Sequence, residues 1–437
     1  KVVHKDRVYG ICMDFNTVHE PEGGCFLVSS HSPGKRSDHK NFISNVRQSV
    51  EDFSHMVTTE DTLFSFLPLS HTLERTLGYY LPILTGCRVA FARSVPQLAE
   101  DLLQIRPSIL ISVPRIFERV YGRIQEKLAH EPAIARGLFN KAVEIGWRRF
   151  EYQQKRGAWS PSLLLWPLLQ MLVARKVQAR LGGRIRFAVS GGAALSPDIA
   201  KLFIGLGIRI QQGYGLTETS PVITANALDA NRPASVGVPL TGVEVKIGED
   251  DELLTRSPSV MLGYWNNPEA TRQVIDQDGW LHTGDQVRIQ DGFVYITGRL
   301  KEIVVLANGE KVPPVDMEMA ITMDSLFEQA LVIGEGKPFL SALLVPNAEE
   351  ITKLARQLAL DPDSESILED ENLKRLLLER VQHQLRAFPG YAQVRNIKLI
   401  AKPWSIENGL LTPTLKARRK RIMEHYRDRV EMLYQGH

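Results

Sequence analysis

The segment QGYGLTETS, residues 212–220, has the residue types of a site for a flat, phosphorylated ligand. Glycines on both sides of Tyr214 let the backbone approach a planar ligand that stacks on the phenol ring. A hydroxyl followed by a carboxylate, at Thr217 and Glu218, suits a phosphate group and its divalent cation. Taken alone, the segment is almost equally well explained as a glycine-rich strand end with a solvated acid.

Later segments carry further polar side chains that could bind such a ligand. Residues 278–285, DGWLHTGD, place Asp285 just beyond a tight turn. A carboxylate there can accept hydrogen bonds from the two vicinal hydroxyls of a ribose, and a turn-capping Asp is the alternative. Residues 298–302, GRLKE, and 308–312, NGEKV, come next, and residues 408–416, NGLLTPTLK, end in a lone lysine, Lys416, on a proline-bounded loop.

Strands that alternate with helices must position these segments. The predicted strands lie at residues 108–113, 184–189 and 208–212. This alternation is typical of an α/β sheet with parallel strands. Two successive strands end in glycine-rich loops, SGGA at residues 190–193 and GYG at residues 213–215, so both loops should meet at one edge of the sheet, where ligands bind in open α/β sheets. Ser196 as N-cap and Pro197 in the first turn predict a helix after the first loop.

The sequence pattern changes twice after this sheet. Beyond residue 221 short β segments separated by Asp and Gly turns predict a small β subdomain. From residue 300 onward the pattern is α+β, with a long helix over residues 370–388. The predicted fold class is therefore α/β, with a large N-terminal domain of α/β sheets plus a small β subdomain (residues 1–299) and a small α+β C-terminal domain (residues 300–437).

The composition excludes several classes of protein. Of the 437 residues, 53 are Lys or Arg and 50 are Asp or Glu, and 43% are hydrophobic, which excludes disordered, collagen-like and coiled-coil chains. A net charge of only +3 argues against a nucleic-acid partner. Three widely spaced cysteines without a CxxC pair (Cys12, Cys25 and Cys87) predict reduced thiols and a cytoplasmic location.

One apolar run, LLLWPLLQML at residues 163–172, has two interpretations. It is half the length of about 20 residues that a membrane-spanning helix needs, so a buried helix is the favoured one. The other is a peripheral patch on the inner face of a membrane, since basic residues precede the run: Arg148, Arg149, Lys155 and Arg156.

In their order and spacing, the motifs GYGLTETS, DGWLHTGD, GRLKE and NGLLTPTLK resemble those of the AMP-forming acyl-adenylate synthetases. The resemblance runs from about residue 63 to residue 434. Within that family the chain is most similar to the long-chain fatty-acyl-CoA synthetases, on the evidence of LPLSHTLER at residues 67–75, the long helical insert before Arg156, and LTPTLK followed by Arg418 and Arg419. The resemblance implies that a fatty acid carboxylate attacks the α-phosphate of ATP, giving acyl-AMP and pyrophosphate. The thiol of coenzyme A then takes the acyl group.

The resemblance also implies roles for individual residues in nucleotide binding. Glu218 would hold Mg²⁺, and Thr217 would bind phosphate. Tyr214 would stack on adenine, while Asp285, assisted by Arg299, would bind the ribose hydroxyls. The residues that would line the nucleotide pocket beside them are Gly191, Gly192, Ala193, Gly213 and Gly215.

The remaining implied roles concern the reaction and a domain movement. Lys416 would bridge the attacking carboxylate and the α-phosphate, where a fixed cation stabilises the charge that develops during phosphoryl transfer. The C-terminal domain would be mobile, pivoting at Lys301 and presenting a second face near Gly309 for thioester formation. An ordinary solvated lysine is the alternative for Lys301. His71 would be a gate to the acyl or thiol channel, and we favour this role over that of a base, because a carboxylate nucleophile is already ionised at neutral pH.

One departure from the family pattern affects ATP binding. The family's Ser-, Thr- and Gly-rich phosphate loop precedes a helix whose start matches residues 37–42, SDHKNF, but residues 26–36 lack the paired threonines and the glycine between them. Either the sequence is incomplete at this loop and at its start, which we favour, or this homologue lacks the loop.

Three functions therefore stay open. The leading one is a Mg²⁺- and ATP-dependent long-chain fatty acid–CoA ligase. In the second, the acyl group passes to a carrier protein, docked on the basic run at residues 416–421, which otherwise is a solvated helix face. The third is a non-catalytic acyl- or nucleotide-binding homologue without the phosphate loop.

Overall fold

The structure is a computed structural model that describes residues 34–53, 56–94, 97–300, 303–358, 360–361, 364, 367–386, 388–412 and 417–435, together with the backbone of residues 25–28. Its strands are β1 (Cys25–Val28), β2 (Lys35–Asp38), β3 (Thr62–Ser65), β4 (Arg88–Phe91), β5 (Ile109–Ser112), β6 (Phe187–Ser190), β7 (Ile210–Gly215), β8 (Val222–Ala225), β9 (Val238–Pro239), β10 (Glu244–Ile247), β11 (Glu252–Arg256), β12 (Gly263–Tyr264), β13 (Leu281–Gln290), β14 (Phe293–Arg299), β15 (Val304–Val305), β16 (Lys311–Val312), β17 (Phe327–Ile333), β18 (Leu340–Pro346) and β19 (Val394–Leu399).

The α-helices are α1 (His39–Phe53), α2 (Leu81–Thr85), α3 (Leu98–Ile105), α4 (Pro114–Ala129), α5 (Ala133–Gln153), α6 (Trp166–Leu169), α7 (Arg175–Arg180), α8 (Pro197–Gly205), α9 (Pro268–Val274), α10 (Pro314–Thr322), α11 (Ala348–Gln357), α12 (Glu371–Gln384), α13 (Arg419–His425) and α14 (Arg427–Met432). The chain divides into two compact units, Lys1–Phe117 with Lys127–Ile296, and Glu118–Glu126 with Thr297–His437.

The main sheet of the first unit has seven strands within the described residues, in the order β4-β3-β5-β6-β7-β8-β9. Strands β4 to β7 pair in parallel, and β8 and β9 continue the sheet antiparallel. All four residues of β5 are buried, as expected for a parallel strand that is covered on both faces. The predicted parallel α/β sheet is therefore confirmed.

A smaller antiparallel sheet in the same unit has the order β10-β11-β13-β14. Its core is formed by Leu253, Val287 and Val294. Along β13 every second side chain is buried from Leu281 to Val287, so Asp285 points to the same side as these apolar residues. The predicted small β subdomain is present.

The second unit is an α+β fold around the sheet β17-β18-β19. Alternate residues of β18 face opposite layers: Leu340 and Leu344 pack with α10 and α12, whereas Leu343 and Val345 pack with Trp404 and the last two helices. A sheet covered on both faces explains why residues 340–345 are all buried.

The helices differ from the expectations of the sequence in two details. The long helical insert predicted before Arg156 consists of two helices, α4 and α5, because Pro132 has no N–H group and restricts the residue before it. Ser196 does stand at the N-cap position of α8, but its side chain makes no capping hydrogen bond. Pro197 begins that helix, as predicted.

Two further expectations concern thiols and membranes. Cys87 is a free, buried cysteine, while Cys12 and the side chain of Cys25 lie outside the described residues. Across the part of the chain that the structure describes, no helix combines the length and apolar character needed to cross a bilayer.

A buried acid lies in the π-helical segment Glu74–Tyr80. The Glu74 carboxyl is fully buried, and within the described residues neither of its oxygens has a hydrogen-bond partner of good geometry. Burial raises the pKa of Glu74 to about 7, and the neighbouring Ser65 hydroxyl lowers it less than burial raises it. Glu74 is therefore largely protonated in the folded protein under mildly acidic conditions.

We predict that Glu74 makes the protein less stable as the pH rises. An unfolded glutamate ionises near pH 4.5, whereas the folded one stays protonated up to about pH 7. The contribution of Glu74 to the free energy of unfolding is therefore fully present below pH 4.5 and is lost as the pH rises through about 7. The total loss is about 3 kcal/mol. Urea unfolding measured from about pH 5 to 8 should show that Glu74→Gln removes this loss, while Glu60→Gln, at an exposed site, leaves it unchanged. An identical pH profile in wild type and Glu74→Gln would contradict the prediction.

Candidate active site

Two glycine-rich segments lie side by side at one edge of the sheet. Residues 191–193 follow β6, whereas residues 213–215, predicted as a loop, form the last three residues of β7. Gly191 N donates a hydrogen bond to Ser112 O (3.1 Å). A Cβ at Gly191 would lie 3.8 Å from Gly213 O, so the two loops are in contact. The Gln212 side chain joins them, because its Oε1 accepts a hydrogen bond from Leu195 N (3.0 Å). The structure thus brings Gly191, Gly192 and Ala193 beside the end of β7, which contains Gly213 and Gly215.

Glycine is required at two positions of these loops. Gly192 has a φ of +82°, in the left-handed region that side chains rarely adopt. At Gly215 a Cβ would lie 1.8 Å from Pro221 O, a distance that no side chain can occupy. This close approach occurs where β7 and β8 pair with an irregular register.

Tyr214 and Asp285 come together from the two sheets of the first unit. The Tyr214 hydroxyl donates a hydrogen bond to Asp285 Oδ2 (2.6 Å). Asp285 is only 4% exposed, and its backbone N–H donates to Thr283 Oγ1 (3.2 Å). Thr283 Oγ1 in turn donates to Leu253 O (2.7 Å). The motifs GYGLTETS and DGWLHTGD, 71 residues apart at these two side chains, therefore form one site.

Glu218 lies in the short 3₁₀ turn Thr217–Thr219, beside the end of β7. Its Oε1 accepts a hydrogen bond from the Tyr264 hydroxyl (3.1 Å) and pairs with Lys35 Nζ (3.2 Å). Among the described residues no side chain or backbone group donates a hydrogen bond to Oε2. Burial and the nearby Glu218 charge raise the pKa of Tyr264, which keeps its hydroxyl protonated as the donor.

Lys35 and Tyr264 were not predicted as site residues. Lys35 stands just before the helix start that the motif comparison identified, which is the only local signal that could have indicated it. Tyr264 follows Gly263 in a short strand, and its contact with Glu218 spans 46 residues. Nothing in the local spacing predicts that contact.

The segment that contains His71 packs against both loops. His71 is half-buried and directly precedes the helical turn that leads into Glu74–Tyr80. A Cβ at Gly191 would lie 3.3 Å from a Leu73 methyl group. Thr76 Oγ1 donates a hydrogen bond to Ser220 O (3.0 Å). These contacts fix the segment beside the candidate site.

The other predicted site residues belong to the second unit. Arg299 is the last residue of β14, and Gly309 lies in the exposed turn between β15 and β16. Lys301 and Lys416 lie outside the described residues. The chain on either side of residues 413–416 is joined by an antiparallel bridge between Leu411 and Ala417.

The residue types at the first unit's site could bind a nucleotide, and Glu218 could contribute one ligand to a divalent cation. No cluster of three or more His, Cys, Asp or Glu side chains that could enclose a metal is found within the described residues. Mg²⁺ is commonly held by one or two carboxylates together with substrate phosphates. Glu218 Oε2 fits that arrangement, because Lys35 and Tyr264 contact the other oxygen.

Comparisons with known proteins identify the family of the chain. The model of the AMP-binding enzyme family matches residues 37–265, and that of the AMP-binding enzyme C-terminal domain matches residues 301–437. The chain is 31% identical to a long-chain-fatty-acid–CoA ligase, FadD15, of Mycobacterium bovis, over 94% of this chain and 67% of the relative. It is 30% identical to the long-chain-fatty-acid–[acyl-carrier-protein] ligase AEE15, chloroplastic, of Arabidopsis thaliana, over 93% of this chain and 60% of the relative.

A solved structure shares the fold. The A domain of the carboxylic acid reductase from Segniliparus rugosus, in complex with AMP and a co-purified carboxylic acid, superposes with a TM-score of 0.67 at 24% identity. The match covers 93% of this chain and 60% of that domain's chain. The predicted two-part α/β architecture is confirmed.

The chain spans 60–67% of the length of the two curated relatives compared here. The family that the four motifs predicted is confirmed by the two matched regions, which together extend from residue 37 to residue 437. The chain therefore belongs to the AMP-binding enzyme family.

Proposed function

We propose that the protein activates a long-chain fatty acid with ATP, releasing pyrophosphate and forming acyl-AMP, and then transfers the acyl group to coenzyme A. The observation that carries this proposal is the hydrogen bond between Tyr214 and Asp285 at the edge of the two glycine-rich loops. It brings together an aromatic ring, a buried carboxylate and a closely approaching glycine-rich backbone. These groups could bind adenine, ribose and phosphate, respectively. The fatty acid and the acceptor follow from the FadD15 likeness.

In this proposal the nucleotide binds along the edge formed by β6 and β7. Residues 191–193 and 213–215 line the pocket, and Tyr214 stacks on adenine. Asp285 accepts hydrogen bonds from the ribose hydroxyls, to which Arg299 contributes. Asp285 Oδ2 already accepts one hydrogen bond, so Tyr214 also orients the carboxylate toward the ribose.

Glu218 holds Mg²⁺ in the proposed complex, and Thr217 binds a phosphate oxygen. The cation would neutralise charge on the phosphates of ATP. Tyr264 and Lys35 fix Glu218 through Oε1, which leaves Oε2 oriented for the metal. Burial of Glu218, at 15% side-chain exposure, keeps competing water from most of the carboxylate.

Lys416 is the proposed catalytic residue of adenylation. Its ammonium group would contact both the attacking carboxylate and the α-phosphate, where negative charge accumulates in the transition state. A lysine suits this task because its charge is compact. We further propose that Lys301 is the hinge, that the face near Gly309 serves the thioester step, and that His71 gates the channel.

A carrier protein is the second candidate acceptor. The likeness to the AEE15 ligase favours testing it, because the name of that relative specifies an acyl-carrier protein. Turnover measured with coenzyme A and with a phosphopantetheinylated carrier separates the two acceptors. A cytoplasmic location stays a prediction from the cysteine pattern.

Exchange of radiolabelled pyrophosphate into ATP, dependent on a long-chain fatty acid, tests the first half-reaction. We expect exchange in the wild-type protein and a loss of at least about 100-fold in Lys416→Ala, because a charge at the reacting phosphate is worth several kcal/mol. Lys416→Ala should still convert supplied acyl-AMP to acyl-CoA. Lys402→Ala, which removes an exposed lysine nearby in sequence, is the matched control.

Two results would overturn this assignment. Absence of exchange in the wild-type protein, with fatty acid or nucleotide still bound, would instead identify a non-catalytic homologue. Equal loss of both half-reactions in Lys416→Ala would show that the lysine is not specific to adenylation.

Asp285→Ala should raise the KM for ATP by about 10-fold or more and leave the KM for fatty acid almost unchanged, because charge-assisted hydrogen bonds to the ribose are lost. Tyr214→Phe retains the ring and removes the hydroxyl that donates to Asp285, so its effect on the KM for ATP should be smaller. Steady-state kinetics with each substrate varied in turn measure both. A change in acyl-chain preference in Asp285→Ala would count against ribose binding.

Glu218→Gln should increase the Mg²⁺ concentration needed for half-maximal exchange, because a neutral amide is a poorer ligand for a hard cation than a carboxylate. We expect a shift of about 10-fold, measured by titrating Mg²⁺ at fixed ATP. Glu269→Gln, on the exposed surface of α9, is the control and should leave the titration unchanged. If both variants respond to Mg²⁺ like the wild type, Glu218 is not a metal ligand.

A further inference from the structure

An apolar helical surface lies between residues 161 and 174 of the first unit. The segment consists of the 3₁₀ turn Pro161–Leu165, helix α6 and the π-helical turn Gln170–Ala174. Leu164 is 72% exposed, Leu168 52% and Met171 54%. The buried helix favoured from the sequence is therefore wrong for this outer face. A helix that is apolar all round normally has a neighbour on every side.

The opposite face of the segment is firmly packed. Trp166 and Leu169 are buried, and Ala174 is completely inaccessible. The Trp166 ring fits beside two glycines, since a Cβ at Gly146 would lie 2.6 Å from it and one at Gly207 would lie 3.5 Å from it. The packing of Trp166 therefore fixes the segment in an orientation that leaves the leucines of its other face exposed.

Basic residues continue the same exposed stripe into α7. Leu168 and Leu172 are followed, at helical spacing of three to four residues, by exposed Arg175, Lys176 and Arg180. These three make no ion pair with any described residue. Between residues 158 and 183 these three are the basic residues, and the sequence contains no Asp or Glu. One half of the surface is therefore apolar. The other half carries positive charges that make no ion pair with a described residue.

We propose that this surface, residues 159–180, binds the face of a bilayer that contains anionic phospholipid. The exposed leucines and methionine would enter the boundary between headgroups and acyl chains. Trp159, which is also exposed, suits the interface, where an aromatic ring has one apolar and one polar side. Arg175, Lys176 and Arg180 would contact lipid phosphates. An apolar partner protein would not require the acid-free sequence, which is why a lipid surface is favoured.

This binding does not depend on the proposed function, although it would bring the protein to membrane-dissolved fatty acid. It is measured without turnover, so failure of either proposal leaves the other testable.

Flotation with vesicles of phosphatidylcholine, with and without phosphatidylglycerol, tests the proposal on the whole chain. We expect binding that requires phosphatidylglycerol and weakens with salt. Leu164→Ser with Leu168→Ser should reduce vesicle affinity by about 10-fold or more, because each leucine loses apolar burial in the interface. Arg175→Glu with Lys176→Glu should reduce it at least as much.

Ile134→Ser is the matched control, because Ile134 is 87% exposed on α5 outside this surface and should leave binding unchanged. Thermal unfolding of each variant checks that folding is retained, which the high exposure of the replaced side chains favours. Absence of vesicle binding in the wild type overturns the proposal. Binding that persists in both double variants also overturns it. A wild type that does not bind vesicles but self-associates, and becomes monomeric in Leu164→Ser with Leu168→Ser, overturns it as well.

Discussion

The parallel pairing of β6 with β7 is the constraint on which the rest of the candidate site depends. Because the two strands run in the same direction with Ser190 beside Gln212, both glycine-rich loops emerge at one edge of the sheet. The antiparallel return through β8 keeps the turn with Glu218 at that edge. Contacts from other elements then converge there, including the Tyr214–Asp285 hydrogen bond and the Lys35–Glu218 ion pair.

Local features of the site could be predicted from the sequence, because they depend on periodicity and on glycine. The strands β5, β6 and β7 lie within a few residues of their predicted bounds, and glycines mark places where one backbone segment closely approaches another. The position of α8 also followed from Pro197. The family, and with it the two-part architecture, was predicted from four motifs considered together. Their order along the chain cannot be seen in any single segment.

Long-range partners could not be predicted. The alternation along β13 indicates that Asp285 faces inward, but nothing near it in the sequence indicates Tyr214 as its partner. Lys35 lies 183 positions from Glu218, and long-range contacts such as the pairing of β2 with β12 bring that part of the chain to the site. The prediction for the outer face of residues 163–172 was wrong for another reason. A run of almost entirely apolar residues does not indicate which face is covered, and the packing of Trp166 decides it.

The backbone contact at Gly215 has a consequence for attempts to alter the substrate range of this protein. The carbonyl of Pro221 occupies the space that any side chain at position 215 would need, so a mutant library that randomises the GYG loop would yield folded variants almost entirely with the parental residue there. Diversity is better introduced at neighbouring sites whose side chains already point away from the sheet.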